Sequence, residues 1–321
     1  MTEPTTALSV VVGGTVAIDN VKTPGSEAEN LLGGSAAYAA LAASFYCSSV
    51  HLVGIVGKDF PAEHLAMLES RGITLDGIER SDGDSFTWSG EYMENMNERV
   101  THRVGLNVLE SWEVKVPAPA NEAAIVVLAN MSPDNQLQML AQSQAESSFV
   151  IADTMDLWIE IANERLHEVL KQLDLFVINE SEARDFAKTS NLVLAGRRLL
   201  EKGPRFVVIK LGEFGAMLFG RLQGSIPDEL CPDSFFRCAA FPLSEITDPT
   251  GAGDSFLGAI AGYLAAKGNQ DPSFDTIQQA VVQGSVLASF TCEAFSTKRL
   301  EGLTPADLDA RLEAFRQMSS W

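Results

Sequence analysis

Basic residues are scarce in this chain. Its 321 residues include 23 Lys and Arg against 43 Asp and Glu, which gives a formal net charge of −20 at pH 7. A nucleic-acid-binding protein needs a basic face to neutralise phosphates, and docking to anionic membranes needs clustered basic residues. The charge balance therefore argues against both partners. It also raises the question of how so acidic a chain would hold an anionic small molecule.

Cysteine and histidine are rare too, with four of each. The cysteines stand at positions 47, 231, 238 and 292, and no two have the CxxC spacing of a zinc site or a redox pair. We therefore expect reduced, mostly buried thiols. The histidines form no HExxH or similar pair of metal ligands, so structural roles are expected for them.

The sequence also lacks long apolar runs. The longest are about ten residues, as at 123–131, whereas a membrane-spanning helix needs about 20. Residues 1–14 include an acidic residue and lack the basic n-region of a secretory signal peptide. Together these features predict a cytoplasmic protein.

Short Val- and Ile-rich segments alternate with helical patterns along the chain. The apolar segments show no strict polar–apolar alternation, which indicates strands buried on both faces of a parallel sheet. Predicted strands cover residues 8–14, 50–57, 123–130, 149–153, 175–179 and 206–210. Predicted helices cover residues 34–46, 61–71, 133–143, 158–171, 180–188, 191–202, 252–268, 273–292 and 305–317. This order predicts one α/β domain over residues 1–321, with helices on both faces of the sheet.

Two stretches, at about 15–32 and 84–110, depart from this alternation. The second is rich in Thr, Val and aromatic residues around a polar turn near residues 95–97, which predicts a β-hairpin. We expect the two stretches to form a small sheet that covers the core. Edge strands of the main sheet are the alternative.

A glycine-rich turn leads into a long apolar helix at residues 248–256. The first N–H groups of a helix have no intrahelical acceptors and carry the positive end of its dipole. Glycines let an anion come close to these groups. Gly251, Ala252 and Gly253 can therefore form an anion hole without basic side chains. The segment is neither a Walker P-loop nor a Rossmann fingerprint, because its glycine spacing fits neither motif.

Asp254 lies directly beside this anion hole, where a carboxylate would repel a phosphate unless it has a function there. A carboxylate at a helix start is commonly a cap or a partner of the helix dipole. The functional alternative is a general base that accepts a proton from an attacking hydroxyl. The residues alone leave both interpretations open.

The segment 248–256 resembles the C-terminal signature of the PfkB/ribokinase family of carbohydrate and nucleoside kinases. Four more segments resemble motifs of that family and follow its order, at 33–37, 54–59, 179–182 and 209–216. The resemblance thus covers most of the chain. It implies a ribokinase-like three-layer α/β/α sandwich with a mostly parallel central sheet and a small β lid.

The resemblance implies an ATP-dependent kinase that transfers the γ-phosphoryl group to a hydroxyl of a sugar or polyol. Asp254 matches the general base, and Gly251, Ala252 and Gly253 match the anion hole. Acceptor binding is assigned to Asp19, Gly33, Gly34, Tyr38 and Asp254, and ATP binding to Lys210, Gly212, Gly215 and Thr250. Asn179 and Glu182 match the motif that places Mg²⁺ through water, although without the family this motif is simply a good helix start. Backbone N–H groups, a helix dipole and Mg²⁺ would then hold ATP despite the negative net charge.

Several residues depart from the family pattern. Lys210 stands where the family often has Thr, and its side chain would either reach the ATP phosphates or extend into solvent. Tyr38 stands where sugar-binding members often have Asn. The stretch 153–158 lacks the arginine that many sugar kinases carry there, which disfavours a phosphorylated or carboxylated acceptor. Arg99 or Arg103 of the expected lid could take the place of that arginine.

A free sugar or polyol is therefore the favoured acceptor. The first alternative is a nucleoside kinase on the same fold, in which Tyr38 and the tryptophans of the lid form a slot for the base. A non-catalytic protein that binds nucleotide or sugar is the second alternative. Some family members bind a monovalent cation such as K⁺ near the positions of Asp248 and residues 294–296. A homodimer formed through the lid is also compatible with the sequence.

Overall fold

The computed structural model describes residues 8–145, 147–227 and 229–319. Residues 1–7, on which half of the signal-peptide prediction depends, lie outside these ranges. In chain order the strands are β1 (Val10–Gly13), β2 (Ala17–Thr23), β3 (Ser26–Gly33), β4 (Val50–Val56), β5 (Ile73–Arg80), β6 (Phe86–Tyr92), β7 (Arg99–Gly105), β8 (Ile125–Leu128), β9 (Phe149–Ala152), β10 (Leu175–Asn179), β11 (Phe206–Lys210), β12 (Ala216–Gly220) and β13 (Phe235–Cys238).

The α-helices alternate with the strands of the larger sheet for most of the chain. They are α1 (Ser35–Ala43), α2 (Ala62–Ser70), α3 (Pro133–Gln142), α4 (Asp156–Ile161), α5 (Asn163–Leu170), α6 (Glu180–Ala187), α7 (Leu192–Glu201), α8 (Ala252–Lys267), α9 (Phe274–Thr291), α10 (Lys298–Glu301) and α11 (Pro305–Ser319). The single helix predicted over 158–171 is wrong. Ala162 leaves the helical region with φ −131° and ψ 30°, which separates α4 from α5.

The larger sheet has nine strands in the order β13-β12-β11-β10-β9-β8-β1-β4-β5. The seven adjacent strands from β11 to β5 in this order are parallel to one another. Strands β12 and β13 are added antiparallel at the β11 edge. Successive residues of β1 point to opposite faces, where Val10 and Val12 join one apolar cluster and Val11 joins the other. Helices cover both clusters. The predicted α/β/α sandwich with a mostly parallel sheet is confirmed.

Helices α1 and α8 pack on each other through small residues. A methyl group added at Gly258 would lie 2.0 Å from the carbonyl oxygen of Ala39, and one added at Gly262 would lie 2.5 Å from that of Ala43. The two backbones therefore touch directly. This close packing brings the glycine turns that begin the two helices side by side.

The stretches that depart from the alternation form a separate smaller sheet in the order β3-β2-β6-β7. The alternative of edge strands on the larger sheet is therefore wrong. Strands β2 and β3 form one hairpin and β6 and β7 form another, and β2 pairs in parallel with β6. The smaller sheet spans residues 17–33 and 86–105, within the predicted bounds apart from Gly33.

All four cysteines are free thiols, as predicted. Within the described ranges, no helix combines the length and the apolar character that crossing a membrane requires.

Candidate active site

The candidate site lies at the carboxyl edge of the parallel strands. Asp153 follows β9, Asn179 ends β10 and Lys210 ends β11. Because β10 lies between β9 and β11, these three side chains occupy adjacent places along the edge. The start of α8 faces the same edge. Ligands of open α/β sheets bind at this end of the strands.

The anion turn (residues 251–253) begins helix α8. Gly251 has φ 77°, a left-handed conformation that side chains rarely adopt. A methyl group added there would lie 2.4 Å from the ring of Tyr38, whose side chain is buried. Tyr38 thus packs against the turn and fixes its position. A direct contact between Tyr38 and an acceptor stays a prediction.

Asp254 stands in the first turn of α8, next to the anion turn. The pKa of its carboxyl is raised from 3.8 to about 7, first by loss of solvation and then by the charge of Asp153, whereas Lys210 and Arg99 lower it. A carboxyl that titrates near neutral pH is well matched to general base catalysis. The geometry therefore suits the role that the sequence predicts for Asp254.

Asp19 of β2 is the second buried carboxyl of the site. It packs on Gly33, where an added methyl group would lie 2.1 Å from its carboxyl carbon. Its Oδ1 atom has no hydrogen-bond partner among the residues that the structure describes. Burial raises its pKa to about 8, with Asp248 and Asp254 adding to the shift. An unpaired buried carboxylate oxygen is costly, and hydroxyl groups of a bound ligand would satisfy it.

Asp248 holds the loop before the anion turn. Its Oδ1 atom accepts a hydrogen bond from the backbone N–H of Thr250 at 2.9 Å, and its Oδ2 atom accepts one from that of Ser296 at 3.4 Å. The carboxylate thereby joins the loop to the segment after α9. Across the described part of the chain, no group of three or more His, Cys, Asp or Glu side chains is arranged to hold a metal ion.

Lys210 points into the site and away from bulk solvent. Its Nζ atom lies 3.1 Å from Oδ2 of Asp153, and the two side chains are 18% and 7% exposed. A methyl group added at Gly253 would lie 3.0 Å from the same Nζ atom. Of the two orientations that the sequence left open, the structure has the inward one.

Asn179 and Glu182 form a reciprocal capping box at the start of α6. The Glu182 N–H donates to Asn179 Oδ1 at 2.9 Å, and the Asn179 N–H donates to Glu182 Oε2 at 3.0 Å. Burial raises the pKa of Glu182 to about 7. The motif is thus the helix start that sequence alone indicated. Because these oxygens already accept hydrogen bonds, the residues suit Mg²⁺ held through water better than direct ligation.

The smaller sheet contacts the loops of this site through its second hairpin. Thr250 Oγ1 donates to the Tyr92 hydroxyl at 3.3 Å. At the hairpin turn, Asn97 Nδ2 donates to Glu213 Oε1 at 3.2 Å. Arg99 lies close enough to Asp254 to lower its pKa. The hairpin therefore reaches both the anion turn and the turn after β11.

Gly212 and Gly215 lie in the turn between β11 and β12. A methyl group added at Gly215 would lie 2.1 Å from the carbonyl oxygen of Cys238, so this glycine allows the close packing of β13. One added at Gly212 would lie 3.0 Å from Asn97 Oδ1. Their predicted contact with ATP stays a prediction.

The sequence prediction missed two polar contacts of the site. One is the ion pair of Asp153 with Lys210, which depends on the order of strands in the sheet. The other is the contact between Asn97 and Glu213, 116 positions apart in the sequence. Both contacts join residues that are far apart in the sequence, so no short motif indicates either of them.

The class of protein follows from this geometry and from the fold. The structure is similar to that of Burkholderia thailandensis nucleoside kinase in complex with inosine, with a TM-score of 0.76 at 17% identity over 95% of this chain and 98% of that one. It is also similar to Arabidopsis thaliana ribokinase complexed with ribose and ATP, with a TM-score of 0.73 at 18% identity over 96% and 99%. The chain thus has the ribokinase-like fold.

The sequence comparisons agree. The profile described as "pfkB family carbohydrate kinase" matches residues 8–301, and the chain belongs to this kinase family. A cytidine kinase of Thermococcus kodakarensis is 28% identical over 262 residues, which are 80% of this chain and 88% of that protein. The predicted family is confirmed.

Proposed function

We propose that the protein transfers the γ-phosphoryl group of ATP to the primary hydroxyl of the ribosyl group of a nucleoside. The observation that carries this proposal is that Asp254, at the anion turn, lies close enough to Asp19 to raise its pKa, and that Asp19 has a buried oxygen without a partner among the described residues. The first carboxylate suits a base for the attacking hydroxyl. The second suits a holder of the other ribosyl hydroxyls.

The reaction needs one proton transfer and one phosphoryl transfer. The acceptor oxygen attacks the γ-phosphorus, the bond between this phosphorus and the β–γ bridging oxygen breaks, and ADP leaves with that oxygen. Asp254 takes the proton of the acceptor hydroxyl. The N–H groups of Gly251 and Gly253 stabilise the negative charge on the transferred group, worth roughly 3–4 kcal/mol per donor at comparable oxyanion sites. The Ala252 N–H donates to the Pro249 carbonyl oxygen at 3.2 Å. The base contributes about 10²- to 10⁴-fold.

Mg²⁺ bound with ATP supplies positive charge to the phosphate oxygens. In this chain Asn179 and Glu182 would hold it through water, because their capping box leaves the second Glu182 oxygen available. Lys210, Thr250, Gly212 and Gly215 are proposed to contact ATP. A K⁺ site near Asp248, closure of the smaller sheet as a lid, a homodimer through that sheet and a cytoplasmic location stay predictions.

A nucleoside is favoured over a free sugar both by the relatives of this chain and by one residue pair of the smaller sheet. A cytidine kinase is similar over most of the chain, and a solved relative holds inosine. Trp88 of β6 is paired in register with Asp19 of β2, so both side chains lie on the same face of the smaller sheet. An aromatic side chain on the sheet face that also carries the proposed ribosyl-binding carboxylate suits a base. Free ribose is the second candidate, supported by the similar ribokinase complexed with ribose.

The test is an ADP-release assay with Mg-ATP against nucleosides, ribose, other free sugars and polyols, followed by mass spectrometry of the product. Turnover on a nucleoside, with one phosphate added to its 5′-hydroxyl, is expected. Turnover on free sugars alone would contradict the acceptor and keep the kinase mechanism. ATP binding without turnover on any acceptor would favour the non-catalytic alternative.

A further inference from the structure

Asp153 has no part in the proposed phosphoryl transfer, yet it forms an ion pair with Lys210. The two groups are 57 positions apart, and their side chains meet across the end of β10 at 3.1 Å. Both are largely withdrawn from solvent. A buried ion pair contributes little net stability, because the loss of hydration offsets the attraction. Stability alone therefore gives a weak reason for this pair.

The start of α8 opposes the Lys210 ammonium, whereas the nearby carboxylates of Asp153, Glu182 and Asp254 raise its pKa and favour the charged form. The ammonium lies beside Gly253, in the first turn of α8, where the helix dipole is positive and acts against a cation. An anion that contacts both the ammonium and the anion turn would be attracted by each of them. In a kinase, the anion that occupies this place is the transferred phosphoryl group.

A carboxylate is needed to keep the ammonium there. The lysine side chain has four rotatable bonds, and fixing it costs up to about 2 kcal/mol of rotamer entropy. Asp153 supplies an opposite charge 3.1 Å from the ammonium, and Glu182 and Asp254 add attraction from α6 and α8. Asp153 alone of the three makes a hydrogen bond to Lys210 within the described residues.

We propose that Asp153 is a positioning residue that holds the Lys210 ammonium at the first turn of α8, where it contacts the γ-phosphoryl group during transfer. This inference rests on the proposed function. Positive charge placed in advance at the transferred group lowers the barrier without reorganisation during the reaction. It also explains why so acidic a chain needs no basic surface near its nucleotide.

Four variants test the proposal by steady-state kinetics, with the acceptor that the ADP-release assay identifies. Lys210→Met is expected to lower kcat about 10²- to 10³-fold, as the loss of one donor to a developing charge does. Lys210→Arg, which keeps the charge, should recover part of this loss. Asp153→Asn should lower kcat about tenfold and leave KM for the acceptor unchanged. The double variant Asp153→Asn/Lys210→Met should be no slower than Lys210→Met alone, because Asp153 acts through Lys210.

Independent losses that multiply in the double variant would overturn the positioning role. So would an unchanged kcat for Lys210→Met. Lys171→Met, at an exposed lysine after α5, is the matched control and should match wild type. If Asp153→Asn does not fold, Asp153→Glu keeps the charge and displaces it by one methylene. An unchanged kcat in that variant would contradict the proposal.

A binding measurement separates this proposal from the proposed function. Calorimetry with ATP and with ADP needs no acceptor. Lys210→Met should weaken ATP binding by a larger factor than ADP binding, because only ATP has the γ-phosphoryl group. An equal loss for both nucleotides would overturn the placement of Lys210, even where wild type turns over a nucleoside. If wild type turns over no acceptor and the ATP-specific loss is still seen, the proposed function fails while the placement stands.

Discussion

The two sheets of the molecule are built in opposite ways. Strands β1, β8 and β9 of the larger sheet are buried at every residue. In the smaller sheet, six of the seven residues of β7 are exposed. The larger sheet also supports Asp254 through the packing of α8 on α1. The groups proposed to react thus stand on the rigid core, whereas the smaller sheet contributes contacts over the cleft.

This difference indicates separate roles for the core and for the smaller sheet. Groups that must keep their geometry to a fraction of an ångström are placed on buried elements. Groups that select an acceptor and exclude water are placed on an element with little core of its own, which can move. Changes in the core are therefore expected to lower kcat, and changes in the smaller sheet to alter KM and acceptor choice. Asp19 is the exception, since the smaller sheet places it beside the core carboxylates.

Asp254→Asn should have the largest effect. An amide cannot accept the acceptor proton, so turnover is expected to fall by at least roughly 10²-fold, while ATP binding is kept. Turnover and ATP affinity are measured side by side. Asp309→Asn, at an exposed position of α11, is the control and should behave as wild type. Unchanged turnover in Asp254→Asn would remove the assigned base.

Gly251→Ala tests whether the anion turn depends on its fixed shape. The methyl group would meet the buried Tyr38 ring at 2.4 Å and would strain a backbone with φ 77°. A displacement of the turn is expected to lower kcat roughly tenfold to a hundredfold, with a lower melting temperature. Gly25→Ala adds a methyl group with no atom within 4 Å and should change neither quantity. A normal kcat in Gly251→Ala would show that the core tolerates such a shift.

Asp19→Asn tests the exception by stability and by acceptor binding. In the folded state the pKa of Asp19 is about 8, against an ordinary value of 3.8. The folded protein thus holds a proton that the unfolded chain releases, so wild type loses stability as pH rises through this window. Asn removes this loss. Urea unfolding gives the free energy of unfolding of the variant minus that of wild type, and this difference should be roughly 2–5 kcal/mol larger at pH 8.5 than at pH 4.

The same variant should bind its acceptor less tightly, with KM raised about tenfold because two ribosyl hydroxyls lose their carboxyl partner. A stability difference that does not vary with pH would contradict the raised pKa. An unchanged acceptor KM would contradict the binding role.

Asn97→Ala should have the smallest effect. It removes the exposed hydrogen bond from the hairpin turn to Glu213. Such a bond is worth about 1 kcal/mol or less, so KM for ATP should rise about two- to threefold with kcat unchanged. Glu213→Ala should give the same result. A large fall in kcat would show that the smaller sheet takes part in the chemistry and would break the comparison.

The larger sheet was predictable because its strands are buried on both faces. Runs such as Val10–Gly13 contain no polar residue, which is typical of the inner strands of a parallel sheet. Strands β5, β12 and β13 were missed because they lie at or near the sheet edges. Only two residues of β5 are buried, and β12 and β13 turn back antiparallel without the intervening helices that mark a parallel strand.

The site was predictable where its residues are neighbours in sequence. The anion turn and Asp254 lie within four positions, so the sequence places them together at the start of α8, and the family resemblance supplies the role predicted for Asp254. The orientation of Lys210 was left open because its partner Asp153 is 57 positions away, beyond an intervening strand. Only the strand order β11-β10-β9 places the two side chains together. The role of Tyr38 beneath Gly251 was missed for the same reason, since it depends on how α1 packs on α8.

The central claim is that the core performs the chemistry and the smaller sheet selects the acceptor. The most direct test compares a core variant with a variant of the smaller sheet on two acceptors. Values of kcat/KM for cytidine and for ribose are measured in wild type, Asp254→Asn and Trp88→Leu. Asp254→Asn should lower both values by the same factor. Trp88→Leu should lower kcat/KM for cytidine about tenfold, because one stacking contact with the base is lost. It should leave kcat/KM for ribose unchanged. An altered ratio in Asp254→Asn, or equal losses in Trp88→Leu, would contradict the account.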